Sequence, residues 1–307
     1  MLYFNSFFDF RLSILPQILS GVAWWRGATT LVAPRGQFGS AALSIGARKK
    51  AIFISLYRAL RLHRRVIWQA SSEREADDIR AAMGSAAKVL VRRNDSLLPA
   101  PDDRPIPARQ SGLSLRAVFV GRIVPIKGLD LLLQALQSVE HPLRLDVYGP
   151  DEDLAFANRC RDLAAETPNW VEVRFHGALQ PTQVRPVVAE ADLFVMPTRG
   201  ENFGQVIAES LSVSVPVMMM DVTPWTETMR AGGGVVVPQA STAAWTRALN
   251  EYSELGAAGW SERRVAAALA YKSWFADRPK GDLIDQLGEL NKSLRHVRLL
   301  EKVPENG

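Results

Sequence analysis

The sequence predicts an α/β fold, with parallel sheets arranged in two domains. From residue 115 onward, short apolar runs alternate with helical patterns, the rhythm of strands laid in parallel by right-handed crossovers. The apolar run 193–196 (Leu-Phe-Val-Met) is broken by Pro197 to Gly200 and followed by helix-spaced apolar residues at Phe203, Val206, Ile207 and Leu211. A stretch at 94–112, rich in Pro, Asp and Arg, separates this half from an earlier and looser version of the same alternation.

In the first half, strands are expected at 2–4, 29–33, 66–70 and 89–91, and helices at 13–20 and 47–63. Residues 34–40 form a glycine-punctuated loop carrying Arg35. Ser72, with Glu75 three residues later, reads as a capping box. Arg48, Lys49 and Lys50 make the 47–63 helix basic.

The second half is more regular. Strands are expected at 117–120, 144–148, 171–176, 193–196, 215–220 and 235–237. Helices are expected at 129–139, 154–166, 182–190, 204–212, 224–229 and 242–252. After Phe275 the pattern stays helical, and the tail beyond Lys302 reads as frayed. Gly232-Gly233-Gly234 reads as a flexible run with no assigned function.

Composition narrows the function. The 307 residues suffice for two domains, and 47% hydrophobic with 22% charged residues is ordinary for a soluble globular chain. Cys160 is the sole cysteine, so no disulfide forms within the chain, which fits a cytoplasmic location. The four histidines and Cys160 lie far apart, so catalysis without a tightly held metal is expected. A net charge of +5 fits anionic substrates or peripheral contact with an anionic membrane. No nucleic-acid motif accompanies it. Asp9, Arg11 and Pro16 interrupt the apolar N-terminus, and no window reaches the ~18–20 apolar residues of a membrane span.

Two strand-end loops carry the chemistry. Loop 197–204 holds Glu201, and Glu209 follows two turns into the next helix, about 12 Å along its axis if both were helical. That spacing suits two contacts on one long ligand better than a carboxylate pair flanking one bond. The competing reading makes Glu201 a helix-dipole partner and Glu209 a solvated residue. Loop 121–128 (GRIVPIKG) carries Arg122 and Lys127 between two glycines, and both side chains can grip phosphate. Taken together, the loops look like a nucleotide-diphosphate site.

GRIVPIKG followed by RGENFGQVIAES closely resembles the donor domain of the family 4 (group 1) glycosyltransferases, over roughly residues 114–274. The resemblance implies the GT-B fold: two Rossmann-like β/α/β domains facing a cleft, the first incomplete here. The implied division is 1–105 for a shortened acceptor-side domain with its linker, 106–275 for the nucleotide-sugar donor domain, and 276–307 for a helix and tail crossing back. It also implies a retaining transfer of sugar from a nucleotide-diphosphate sugar to a glycan or lipid-linked acceptor in polysaccharide biosynthesis, with no cofactor beyond that donor.

The implied roles are residue by residue. Arg122, Lys127 and Glu201 are catalytic, the two cations holding the diphosphate and Glu201 the transferred sugar. Gly121, Tyr148, Gly149, Ala178 and Leu179 shape the nucleotide pocket. Backbone N–H groups of Asn202, Phe203 and Gly204 face the sugar or distal phosphate, and Glu209 takes the ribose hydroxyls. Arg35 would line the cleft, and Arg48, Lys49 and Lys50 would face anionic lipid or acceptor, unless they are simply a solvated face. The chain departs from the family where Ser214 stands in place of a glycine that often needs φ > 0. The shortened first domain leaves a second function open, a catalytically impaired sugar-nucleotide-binding module or assembly partner. A GT-B epimerase fits the Glu-x7-Glu spacing less well, and the lack of a G-x-G-x-x-G after a strand argues against a nicotinamide enzyme.

Overall fold

The structure, a computed structural model, describes residues 2–19, 30–44, 46–64, 66–101, 114–238, 240–279 and 281. The chain divides into two compact units. The first comprises residues up to 38, residues 46–95 and the described residues from Arg278; the second comprises 39–45 and 96–277. The division at 95/96 falls within the stretch 94–112 expected to link the domains. Most of the expected linker, and the closing helix and tail beyond 281, lie outside the described residues.

The first unit contains β1 (Leu2–Phe4), a π-helical turn Phe10–Ile14 leading into α1 (Leu15–Leu19), and β2 (Thr30–Val32). After α2 (Ser40–Ser44), which groups with the second unit, come α3 (Ala47–Ala59), β3 (Val66–Ala70), α4 (Glu73–Met83) and β4 (Lys88–Val91). The four strands are parallel, in the order β1-β2-β3-β4. Aromatic rings hold the core. Phe7, fully buried, lies 5.0–5.4 Å from the rings of Phe38, Phe53, Tyr57 and Trp68.

Two expectations change here. The 47–63 helix ends at Ala59 because Arg61 turns left-handed (φ 54), and the chain continues as a 3-10 turn, Leu62–Arg64. The capping box is only half formed. Ser72 Oγ accepts the Glu75 N–H at 3.2 Å. The Glu75 carboxylate turns away, accepting the N–H and hydroxyl of Ser71 and the N–H of Gly36. Along α3, Arg48 and Lys49 are exposed, and so are Ile52, Leu56 and Leu60 at four-residue spacing.

The second unit runs β5 (Leu115–Val120), α5 (Leu129–Leu136), β6 (Leu143–Tyr148), α6 (Leu154–Ala165), β7 (Val171–Gly177), α7 (Pro181–Ala189), β8 (Leu193–Met196), α8 (Gln205–Leu211), β9 (Val217–Met220), α9 (Thr226–Thr228), β10 (Gly234–Val237), α10 (Thr242–Glu254) and α11 (Gly256–Ala276). All six strands are parallel, in the order β10-β9-β8-β5-β6-β7. The chain winds outward from β5 to β7, then returns beside β5 and winds the other way.

Alternation within the strands builds two cores. Leu115, Ala117 and Phe119 of β5 face α5, α6 and α10, while Val118 faces α7, α8 and α11. Both interior strands β8 and β9 are buried throughout, whereas edge strand β7 exposes His176 and the charged Glu172 and Arg174, and those charges discourage further strand pairing. Cys160 is buried in the first of these cores, and burial pushes its thiol up to about 12.

The glycine run is not a flexible link. A Cβ on Gly234 would stand 1.8 Å from the Val217 carbonyl oxygen, and one on Gly233 2.9 Å from that of Thr228. The run lets β10 and the turn before it pack tightly. The expected helix 224–229 shrinks to α9, followed by the π-helical turn Met229–Gly233. The strand expected at 215–220 starts at Val217, after Ser214 adopts a left-handed conformation (φ 60) and Pro216 offers no N–H. Replacing Ser214 with Gly should raise stability by about 1 kcal/mol, the left-handed strain less the added chain entropy of Gly. A denaturant midpoint that rises at unchanged m-value checks this; an unchanged midpoint would show that the turn carries no strain.

Candidate active site

The strand order reverses between β5 and β8, so the loops leaving their carboxyl ends run side by side. They are tied together. The Arg199 N–H donates to the Ile126 carbonyl at 2.8 Å, and the Thr198 hydroxyl reaches the carbonyls of Ile126 and Gly200. The Arg199 guanidinium holds the Pro125 carbonyl and both oxygens of Asp130, at 2.9 and 3.0 Å. Gly128 lies so close to loop 197–204 that a Cβ there would stand 2.1 Å from the Pro197 carbonyl oxygen.

This lacing brings Lys127 and Glu201 together. Lys127 Nζ donates to Glu201 Oε2 at 2.7 Å, with side chains only 20% and 16% exposed. Glu201 Oε1 accepts the N–H of Asn202 at 3.0 Å. That N–H, expected to face a ligand, is therefore engaged within the loop. The Phe203 carbonyl is held by the indole N–H of buried Trp225, and Gly204 caps α8.

Arg122 also meets a carboxylate. Its Nη1 donates to both oxygens of Glu152, at 2.8 and 3.0 Å, and both side chains are about half exposed. The strand ends beside it are linked through the backbone. Gly121 donates to the Tyr148 carbonyl, and Gly149 to that of Gly177. Ala178 is exposed, and Leu179 is half-buried against the α7/α8 side. The Tyr148 ring stacks on His176 at 4.5 Å, and His176 Nε2 lies 2.8 Å from Asp146, so His176 is fixed within the fold.

Glu209 is half-buried on α8, with Arg185 of α7 as its charged neighbour. Burial pushes its carboxyl above the ordinary 4.5, against a smaller downward pull from Arg185. No donor among the described residues bonds to that carboxylate, while Arg185 itself donates to Ser212.

Of the predicted residues, Lys127 and Glu201 are in direct contact, whereas Arg122 is paired with Glu152 and Glu209 has Arg185 as its charged neighbour. Sequence reasoning missed Glu152, Asp130, Arg199 and Trp225. Glu152 had a signal, an acidic cluster (Asp151-Glu152-Asp153) beginning two residues past a strand-end glycine. Separately, a pocket of about 240 Å³ opens along β5 and β6 beneath α7, bounded by Arg116, Arg144, Asp146 and Glu190, and it shares only Tyr148 with the predicted group. Among the described residues, no three His, Cys, Asp or Glu side chains are placed to hold a metal, and no helix is long and apolar enough to cross a membrane.

Residues 114–254 match the family model described as Glycosyl transferases group 1. The chain is 30% identical over 197 residues to D-inositol 3-phosphate glycosyltransferase of Streptomyces griseus, covering 59% of this chain and 41% of that one. It is 34% identical over 170 residues to the enzyme of the same name from Thermobispora bispora, covering 50% and 38%. The chain therefore spans about two-fifths of the length of these relatives. Among solved structures, sucrose-phosphate synthase from Thermosynechococcus elongatus superimposes with a TM-score of 0.68 at 17% identity, covering 92% of this chain and 71% of that one. Anabaena HepE, in complex with UDP and glucose, gives 0.64 at 15% identity, covering 86% and 74%. These likenesses show the GT-B fold class.

Proposed function

We propose, on the premise that the chain belongs to the group 1 glycosyltransferases through residues 114–254, that it moves a sugar from a nucleoside diphosphate to an acceptor. The Lys127–Glu201 contact at the switch point carries this reading, because it joins a phosphate-binding cation to a hydroxyl-binding carboxylate at the place where such sheets take ligands. The donor diphosphate draws Lys127 from Glu201 and Arg122 from Glu152. Releasing Glu152 costs little, since exposed ion pairs contribute about 0–1 kcal/mol. The two cations then face the charge that grows on the departing nucleotide as its bond to the sugar breaks. Glu201 is freed to accept hydrogen bonds from sugar hydroxyls, and Glu209 offers two oxygens to the ribose diol.

The finer reading is a retaining transfer to a glycan or lipid-linked acceptor, with no metal required. HepE, crystallised with UDP and glucose, makes a uridine nucleotide the first to try.

Calorimetric titration with UDP and GDP, repeated on the Arg122→Ala/Lys127→Ala double variant, tests the site. One nucleotide should bind the wild type, and the variant should lose about 100-fold or more, at roughly 1.5–3 kcal/mol for each charge-assisted contact. A folded variant that binds as well as the wild type would remove the proposed site. Binding without turnover of the corresponding nucleotide sugar would favour a donor-binding module over a transferase.

A further inference from the structure

We infer that Arg35 forms an oxyanion site at the carboxyl end of the first unit's sheet and takes a phosphate group of the second substrate. The inference rests on the proposed transfer only in calling that ligand a substrate; the site itself is argued from the first unit alone.

Arg35 follows β2 in a left-handed conformation (φ 53), one that non-glycine residues rarely adopt. The next residue is anchored: the Gly36 N–H donates to Glu75 Oε1 at 2.6 Å, and Glu75 Oε2 takes the N–H and hydroxyl of Ser71 at 2.7 Å each. This buried carboxylate is thus engaged by the loop and bonds to no atom of the guanidinium.

The guanidinium has a different set of partners. Its Nε donates to Asn5 Oδ1 at 2.5 Å, Nη2 to the Tyr3 hydroxyl at 2.6 Å, and Nη1 to Asn94 Oδ1. All three acceptors are neutral, and they come from the ends of β1 and β4 and from β1 itself. Arg80, Arg92, Arg116, Arg122, Arg144, Arg161, Arg174, Arg199 and Arg230 each bond to a carboxylate. Arg58, Arg185 and Arg264 bond to neutral oxygens, but each through a single nitrogen, whereas all three nitrogens of Arg35 are engaged. Arg35 is held in place, half exposed, with no carboxylate bonded to its guanidinium among the described residues and with two of its five N–H donors beyond these three bonds. A fixed fork without a bonded carboxylate is suited to a bidentate oxyanion. The sequence around it is basic: between residues 10 and 72 there is no Asp or Glu, against ten Lys and Arg.

The competing role is a purely mechanical tie between strand ends. Asn94→Asp separates the two, because it keeps the tie and adds a counter-charge. The test is done in the Arg122→Ala/Lys127→Ala background, which removes the donor site from the signal. Inorganic phosphate is titrated and followed by 31P line broadening. The background protein should bind phosphate; Arg35→Gln and Asn94→Asp should each weaken binding about tenfold or more, with Asn94→Asp unchanged in thermal stability. Arg35→Lys, which keeps the charge and loses the fork, should fall between.

Phosphate binding that survives in a folded Asn94→Asp or Arg35→Gln protein, or is absent from the background, would overturn the site. Sedimentation with phosphatidylglycerol vesicles identifies the source. If it depends on Arg35, the phosphate is lipid-borne; if it does not while phosphate titration does, the phosphate is on a soluble molecule. A failed nucleotide titration would sink the donor reading and leave this test standing.

Discussion

Gly128→Ala should destabilise the second unit by about 3 kcal/mol and abolish nucleotide binding. Two costs combine. The residue sits at φ 69, where a side chain costs about 1–2 kcal/mol. Its Cβ would also lie 2.1 Å from the Pro197 carbonyl oxygen, a backbone atom that cannot move without its loop. Overpacking of this kind adds about 1–3 kcal/mol. Whichever loop yields, Lys127 and Glu201 are separated, because each lies within a few residues of the collision. Gly177→Ala is the control in the same unit: its φ is 78, and nothing lies within 4 Å of the added Cβ. It should cost only the backbone strain. Denaturant unfolding and UDP or GDP titration of both variants read the difference. Equal losses would mean that the loops are not pressed together as described.

The contrast between those two glycines also shows what the sequence could and could not reveal. The β/α alternation was legible because each strand and helix writes its own period, and 193–196 came out with both ends right. The left-handed turn at Ser214 was legible through the family resemblance. Sheet order is not written in any local period, so the meeting of loops 121–128 and 197–204 depended on the resemblance until the strand pairing was seen. The electrostatic partners were harder still. Lys127 and Glu201 are 74 residues apart, Arg199 and Asp130 69, and Arg122 and Glu152 30. Each was read singly as a ligand contact or left aside, while the structure spends them first on one another. Glu75 misled for the opposite reason. A local rule predicted a local bond, but Gly36, distant in sequence, offered a better use for a buried carboxylate.

Glu209→Gln should weaken nucleotide binding by about 2 kcal/mol, roughly 30-fold, while making the folded protein more stable at neutral pH. The two effects share one cause. Glu209 is half-buried, with no donor among the described residues to support its charge, so its folded-state carboxyl is raised above 4.5. The folded protein then holds this proton more tightly than the unfolded chain does. Stability from this group is fully present below pH 4.5 and is lost as pH rises through the folded value, leaving a net cost at pH 7. Glutamine carries no such charge, so its stability gain should be present at pH 7 and should vanish well below pH 4.5. A carboxylate kept in an unfavourable place is explained if a ligand supplies the missing donors. The ribose diol would do so, which sets a sharper test. The wild type should bind 2′,3′-dideoxy-UDP more weakly than UDP by about the same 30-fold (or the guanosine pair, if GDP is the nucleotide bound), whereas Glu209→Gln should distinguish the two far less. If the variant keeps the full preference for the diol, Glu209 does not touch the ribose, and its buried charge must be explained by something other than the donor.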